Sequence, residues 1–260
     1  MIDLNDILKW CDKPINGIDL YIGDKVLGYR MDVISLNRAT PNILIAGSEA
    51  SDLLNNILAY ALKVYDPEYF NAVIYNCSTS MKNSGIESVA SVKKLFLWKD
   101  SYPAFLTYLN EEVAERESTL RALACTSIED YQSKSNVYFR PMPRILVVVE
   151  DFDALDNIGD LLAIMRKSAS LGIHFILTTK QDNEIFKYSS FMDLFPVKIC
   201  LRGSEELSTG VLGSKDAADL LAYANFFYSR VENHLTLWHY HCVSDKSLSD
   251  LYKTLGRFSV

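Results

Sequence analysis

The chain has 260 residues, of which 49% are hydrophobic, and its 33 acidic and 26 basic side chains give a net charge of −7. That length suits one large α/β domain, and the apolar runs are strand-length, well below the ~20 residues of a membrane span. The acidic balance and dispersed basic residues argue against a surface that tracks nucleic acid. The cysteines lack C-x-x-C spacing, which predicts reduced thiols without a disulfide framework or zinc site; they are Cys11, Cys77, Cys125, Cys200 and Cys242.

The order of predicted elements indicates an α/β fold. Residues 1–40 predict short strands and turns, because Ile18, Leu20 and Ile22 alternate with other residues. From residue 41 strands and helices alternate, which predicts a mainly parallel central sheet flanked by helices. A β-hairpin turning at Glu232 and Asn233 follows. The predicted strands are 42–46, 71–77, 144–151, 172–180, 195–202, 226–231 and 234–243, and the predicted helices are 52–64, 102–124 and 158–171.

Residues 42–58, NILIAGSEASDLLNNIL, have the outline of a phosphate-binding loop. A working P-loop reads G-x-x-x-x-G-K-[ST], in which the lysine reaches the β- and γ-phosphates and the hydroxyl binds Mg²⁺. Counted from Gly47, the glycine, lysine and hydroxyl positions hold Asp52, Leu53 and Leu54. A carboxylate about 4 Å from a phosphate costs roughly 4 kcal/mol at an effective dielectric constant of 20. We therefore predict a degenerate nucleotide loop made of Gly47, Ser48, Glu49, Ala50, Ser51, Asp52, Leu53 and Leu54.

The donors at the start of this helix need another partner if phosphate is absent. We expect Ser51 or Asp52 to cap the helix with its own side-chain oxygen. About 100 residues later the strand ILVVV ends in Glu150 and Asp151, where an ATPase holds Mg²⁺ and polarises the attacking water. Lys180, the last residue of the next predicted strand, is expected to pair with Glu150 or Asp151.

Several segments resemble, in order and spacing, the FtsK/SpoIIIE motor ATPases across residues 41–260. Within that family the chain is most similar to a degenerate C-terminal ATPase module of the type VII secretion coupling proteins. The resemblance implies a RecA-like P-loop NTPase fold, with residues 1–40 as a β-rich preamble of the same domain. The segments are PNILIAGSEAS, LNEEVAERESTLRALACTSIEDYQ, ILVVVEDFDAL, RKSASLGIHFILTTK, FPVKICLRGS and STGVLGSKDAADLLA.

The chain departs from this family at its acidic pair. Glu150 and Asp151 reverse the usual Asp-Glu order, Thr179 matches a polar position, and Lys180 replaces a glutamine. We therefore predict no catalytic residue, with Glu150, Asp151 and Thr179 as degenerate counterparts. No cofactor or metal is expected, and ATP with Mg²⁺ would bind at most weakly.

The resemblance also implies partners and a location. The partners are neighbouring ATPase modules of the same parent chain and secreted protein substrates, without nucleic acid. The location is the cytoplasmic face of the bacterial cell membrane, reached through membrane segments of the parent. The predicted work is module stacking and recognition of export substrates. Two alternatives stay open: an active ATPase completed by a neighbouring subunit, and a DNA translocase module.

Two aromatic and two histidine residues of the terminal hairpin have alternative interpretations. Trp238 and Tyr240 are expected in the core, with a protein-binding patch as the alternative. His239 and His241 form an H-x-H pair, for which a surface or partner-facing position is favoured over a metal site.

Four other basic residues are expected to form salt bridges within the chain. Arg116 and Arg121 should pair at the surface with the glutamates four residues earlier on the same helix. Lys198 and Arg202 should form ordinary salt bridges. The alternative for either is donation into a neighbour's active site.

Overall fold

The computed structural model describes residues 17–26, 31–77, 85–134, 142–155, 157–222 and 224–257. Residues 1–16, including Cys11, lie outside the described residues, and the other four cysteines are free thiols. The strands are β1 (Ile18–Lys25), β2 (Met31–Leu36), β3 (Asn42–Ala46), β4 (Phe70–Asn76), β5 (Val92–Leu97), β6 (Arg144–Glu150), β7 (Ile173–Thr179), β8 (Val197–Leu201), β9 (Phe226–Val231) and β10 (His234–His239). The helices are α1 (Ala50–Val64), α2 (Tyr102–Ala122), α3 (Ile128–Lys134), α4 (Gly159–Ser168), α5 (Ser189–Met192), α6 (Glu205–Leu212) and α7 (Asp245–Arg257).

All of these strands belong to one sheet, in the order β2-β1-β10-β9-β8-β3-β7-β6-β4-β5. The six strands from β8 to β5 run parallel to one another. The four strands β9, β10, β1 and β2 pair in antiparallel fashion and extend the sheet at one side. The predicted α/β fold, with a mainly parallel sheet and a terminal hairpin, is confirmed.

The sheet carries a hydrophobic core on each face, because successive side chains of a strand point to opposite faces. Ile43 and Ile45 of β3 belong to the core that also holds the apolar residues of α1 and α7. Leu44 and Ala46 belong to the other core, with apolar residues of α2, α4 and α6. Covering on both faces explains why the apolar run in β6 does not alternate with polar residues.

The predicted elements do not include β5, α3, α5 or α7. β5 is the last strand of the sheet and only partly buried, and two exposed lysines interrupt its apolar pattern. α3 has seven residues, fewer than a clear helical period requires. α7 is mostly polar, but Leu248 and Tyr252 are buried in the core that also holds the apolar residues of α1. No helix among the described residues combines the length and apolar character needed to cross a bilayer.

The first described strands join the same sheet as the terminal hairpin. β1 and β2 form a hairpin, and β1 also pairs with β10. Ile18, Leu20 and Ile22 are buried, as their alternation predicts. The terminal hairpin turns at the predicted residues, and Glu232 there adopts a left-handed φ of 52°.

Trp238 in β10 and Tyr240, which follows the strand, are core residues. Trp238 is 4% exposed and Tyr240 is 2% exposed, so the protein-binding alternative is wrong for these side chains. The Trp238 ring stacks on Phe227 with 6.0 Å between centroids, and its Nε1–H donates to Ser229 Oγ at 2.7 Å.

The two histidines near the end of β10 contact each other. Their ring centroids are 4.8 Å apart, and Nε2 of His241 lies 3.3 Å from the Asp24 carboxylate. Across the described ranges, no three His, Cys, Asp or Glu side chains are grouped so that they could hold a metal ion.

Candidate functional site

The predicted site residues lie together at the carboxyl ends of three neighbouring strands. Gly47 follows β3, Thr179 ends β7 and Glu150 ends β6, and these strands are adjacent in the order β3-β7-β6. Ligands of open α/β sheets bind outside the carboxyl ends of the strands. We call this side of the parallel strands the carboxyl edge, and the side where those strands begin the amino edge.

The loop between β3 and α1 is shorter than the motif predicts. α1 begins at Ala50, so only Gly47, Ser48 and Glu49 connect the strand to the helix. Gly47 has a φ of 121°, and a Cβ there would lie 2.9 Å from the Cβ of Leu201, so only glycine fits this turn. The other positions predicted as loop lie inside the first turns of α1.

Backbone carbonyls accept hydrogen bonds from N–H groups that a P-loop would direct at phosphate. The N–H of Gly47 donates to the Thr179 carbonyl at 3.0 Å, and the N–H of Ser48 donates to the Arg202 carbonyl at 3.2 Å. The N–H of Ala50 donates to the Gly47 carbonyl at 3.2 Å. The loop is therefore held to the ends of β7 and β8 by its own donors.

The expected side-chain cap of α1 is wrong. The N-cap residue is Glu49, and its side chain makes no capping hydrogen bond. Ser51, which was expected to cap the helix, instead directs its hydroxyl to Oε1 of Glu150 at 2.6 Å. Ser51 is 7% exposed and Glu150 is fully buried. The hydroxyl thus supplies a hydrogen bond to a buried carboxyl group, which is costly to leave without one.

The second acid pairs with the lysine predicted for it. Nζ of Lys180 lies 3.0 Å from Oδ2 of Asp151. Asp151 adopts a left-handed φ of 53°, and its N–H donates to the Thr178 hydroxyl at 2.9 Å. The ion pair is partly exposed, with 34% of the lysine side chain and 16% of the aspartate side chain accessible.

A third acid, Asp153, completes the site and was not predicted. The Thr179 hydroxyl contacts its carboxylate, and the Asn183 side-chain amide donates to it at 2.9 Å. Burial raises the pKa of Asp153, and the hydrogen bonds from Thr179 and Asn183 offset part of that rise. The sequence EDFD could have predicted Asp153, because it places a third carboxylate just beyond the end of the strand.

Leu53 and Leu54, which the count from Gly47 assigns to the lysine and hydroxyl positions, are core residues. Leu53 and Leu54 have no exposed surface and pack in the same core as Ile43 and Ile45. A side chain at either position points into the protein interior. The chain therefore has no P-loop lysine after β3 for two reasons: position 53 holds a leucine, and a side chain at that position is buried in the core.

Two basic residues considered as donors to a neighbour lie on or after β8. Lys198 is within the strand, and burial lowers its pKa. Arg202 follows the strand, and its carbonyl holds the loop. Neither forms the expected salt bridge with another described residue.

The two arginines of α2 behave differently from each other. Arg116 pairs with Glu112 at 2.7 Å, but it is 4% exposed, and its guanidinium also donates to two backbone carbonyls. The expected surface position is therefore wrong for Arg116. Arg121 is exposed and forms no ion pair with Glu117 or with any other residue in the described ranges, so that expected pair is also wrong.

The chain is similar in sequence to proteins of type VII secretion systems. No family model matches the chain. The chain is 26% identical over 211 residues to the type VII secretion system protein EssC of Staphylococcus aureus. This alignment covers 73% of the chain but only 14% of EssC.

Solved structures agree in fold. The cytoplasmic domain of the type VII secretion ATPase EccC of Thermomonospora curvata superposes with a TM-score of 0.82 at 20% identity, over 98% of this chain and 33% of that one. ATPases 2 and 3 of the same EccC, in complex with a signal sequence peptide, superpose with a TM-score of 0.73 at 12% identity, over 95% of this chain and 48% of that one. The chain is thus similar in sequence to EssC and in fold to the ATPase modules of EccC, two type VII secretion proteins.

Proposed function

We propose that this chain is a module of a type VII secretion motor that binds ATP and Mg²⁺ weakly or not at all and acts through protein contacts. The closed carboxyl edge carries the proposal. There the N–H groups of Gly47 and Ser48 donate to carbonyls of the chain, Oε1 of Glu150 accepts from Ser51, and Oδ2 of Asp151 pairs with Lys180.

Phosphate binding at this edge would require the loop to be rebuilt. A P-loop wraps successive backbone N–H groups around phosphate oxygens. In this chain Gly47 and Ser48 direct their N–H groups to the carbonyls of Thr179 and Arg202. A nucleotide would have to break those bonds without gaining a lysine contact, because Leu53 is fully buried.

Mg²⁺ also fits the edge poorly. The ion demands near-ideal octahedral oxygen coordination and retains several waters. The Ser51 hydroxyl and Glu150 already bond to each other, and the ammonium group of Lys180 neutralises Asp151. A divalent cation would have to displace one partner and would be repelled by the other.

A similar protein solved with a bound peptide supports a role in protein contact. The EccC structure with a signal sequence peptide contains two ATPase modules in one chain. We propose that neighbouring modules of a longer parent chain and secreted proteins are the partners here. The site of action is the cytoplasmic face of the bacterial membrane, with the parent providing the membrane segments.

Calorimetric titration of this chain with ATP and Mg²⁺ tests the nucleotide half of the proposal. We expect no low-micromolar dissociation constant, because the N–H groups of Gly47 and Ser48 and one carboxylate oxygen of each acid already have partners in the chain. A micromolar constant that requires Mg²⁺ would contradict it.

Mixing the chain with its neighbouring module tests the active-ATPase alternative. We expect the rate of ATP hydrolysis per neighbouring module to stay unchanged, and equally so with the Glu150→Gln variant. An increase in rate that the Glu150→Gln change abolishes would favour an active ATPase completed between subunits.

A peptide-binding measurement tests the proposed role in protein contact. We expect a fluorescent signal sequence peptide from an export substrate to bind the chain. If the peptide binds neither the chain alone nor the chain mixed with its neighbouring module, substrate recognition is refuted.

A further inference from the structure

A basic cavity lies at the amino edge, away from the candidate nucleotide site. It has a volume of about 640 Å³, within the range of ordinary ligand pockets. We call it the amino-edge cavity. Its lining includes four cations, Arg38, Arg121, Arg166 and Lys167.

The fold gathers these cations from three separate parts of the chain. Arg38 precedes β3, Arg121 lies in the last turn of α2, and Arg166 and Lys167 lie in the last turn of α4. β3 is adjacent to β7, which follows α4, so the sheet brings these three segments to one side. No sequence run predicts the cluster.

The charges of these cations are not neutralised within the described parts of the chain. All four side chains are exposed, and none of them forms an ion pair or side-chain hydrogen bond with another described residue. Glu117 is the one acid among the lining residues. This cluster stands out because the whole chain carries a net charge of −7.

Helix ends account for only part of this pattern. Cations in the last turn of a helix stabilise its C-terminal dipole, which explains a basic residue in α2 and in α4. Arg38 belongs to no helix. With each helix end counted as about −0.5 and Glu117 as −1, the cavity keeps a net charge of roughly +2.

We propose that the amino-edge cavity is a docking site for an acidic segment of a partner protein. Guanidinium groups bind carboxylates through paired hydrogen bonds, and three of the four cations are arginines. Leu120 and Leu171, both nearly buried, form an apolar part of the wall that suits the methylene groups of glutamate side chains. The inference stands whether or not the carboxyl edge binds nucleotide.

A peptide fits this cavity better than duplex DNA. Duplex DNA presents one negative charge for each ~1.7 Å of its axis, so binding proteins spread cations along an extended surface. Here the cations surround a single concavity, and the chain as a whole is acidic. A short run of carboxylates matches both the size and the charge of the site.

Fluorescence anisotropy with a labelled peptide of alternating glutamate and leucine tests the proposal. The test variant is Arg121→Glu with Arg166→Glu, and the matched control is Lys246→Glu with Lys253→Glu, which makes the same charge change at exposed positions of α7. We expect the peptide to bind the wild-type chain and the cavity variant to lose at least about tenfold in affinity. We expect the control to stay within about twofold, and a peptide with glutamine for glutamate to bind at least about tenfold more weakly than the acidic peptide.

Several results would overturn the proposal. These are no binding by the wild-type chain, equal losses in the two variants, or tighter binding of a short DNA duplex or inorganic polyphosphate than of the peptide. If circular dichroism shows that the cavity variant is unfolded, Arg121→Gln with Arg166→Gln replaces it, with the same expected direction. Retained peptide binding in that folded variant would also refute the site.

Discussion

The two edges of the central sheet differ in whether their charged side chains have partners within the chain. At the carboxyl edge the acids have partners inside the chain, with Ser51 bonded to Glu150 and Lys180 paired with Asp151. At the amino edge the buried Arg116 is paired, whereas the exposed cations of the amino-edge cavity, such as Arg121, have no partner among the described residues. The difference follows burial, since a buried charge without a partner is very costly and an exposed one is not.

This contrast teaches which edge can still bind a ligand. A ligand at the carboxyl edge must first displace bonds that the chain already makes. A ligand at the amino-edge cavity meets hydrated cations and displaces only water and counterions. The fold points to the carboxyl edge as the ligand site, but the amino edge has exposed cations without ion-pair partners among the described residues.

The largest expected effect comes from rebuilding the motif at the carboxyl edge. The triple variant Asp52→Gly, Leu53→Lys and Leu54→Thr restores the P-loop residues in sequence. Leu53 and Leu54 are fully buried, so we expect a loss of more than about 5 kcal/mol in the free energy of unfolding. Urea unfolding measures this, and we expect the triple variant to show no ATP hydrolysis.

The matched control for that variant is Asp52→Gly alone. Asp52 is partly exposed and lies in α1, so this change should cost only about 1 kcal/mol. A stable triple variant with robust ATPase activity would break the comparison, because the carboxyl edge would then be a competent site missing only three side chains.

The two arginines of α2 sharpen the comparison within one helix. We expect Arg116→Met to cost about 3 kcal/mol of unfolding free energy, since Glu112 and two backbone carbonyls lose a donor. Arg121→Met should change it by less than about 0.5 kcal/mol, because that side chain is exposed and unpaired among the described residues. Thermal or urea unfolding measures both, and equal effects would contradict the assignment of one as structural and the other as available.

A smaller, pH-dependent effect concerns His174, which is fully buried near the amino edge. Its Nδ1 lies 3.1 Å from the Pro41 carbonyl and its Nε2 lies 3.4 Å from Arg144, which assigns the proton to Nδ1. Burial, and then the charge of Arg144, lowers the pKa of His174 from 6.5 to about 4. The unfolded chain therefore binds more protons between these values, and stability should fall by up to about 3 kcal/mol as pH drops from 6.5 to 4.

Urea unfolding across that pH range checks the sign and size of the effect. His174→Asn should flatten the part of the pH dependence that the buried ring contributes. His234→Asn, at an exposed position, should leave the slope as it is in the wild-type chain. A wild-type slope that survives in the His174 variant would show that other groups carry the pH dependence.

The fold was largely predictable because its signals are local and strong. The apolar run of β6 and the alternation of Ile18, Leu20 and Ile22 place strands that lie where they were predicted. The pair between Lys180 and Asp151 was also predictable, because neighbouring parallel strands end at the same edge. β5 was missed because two exposed lysines interrupt its short apolar pattern. α7 was missed although Leu248, Leu251, Tyr252 and Leu255 recur at helical spacing, a signal that the prediction did not use.

By itself the sequence determined the α/β fold, the family resemblance and the departure from the P-loop motif. Only the tertiary structure decided which polar groups meet. In the folded chain the Ser51 hydroxyl donates a hydrogen bond to Glu150, and Asp153 lies beside Thr179. Arg116 is buried, whereas Arg121 is exposed. The physical reason is that hydrogen bonds and ion pairs depend on distances of a few ångströms between segments far apart in the chain, and on burial, which residue type alone does not specify.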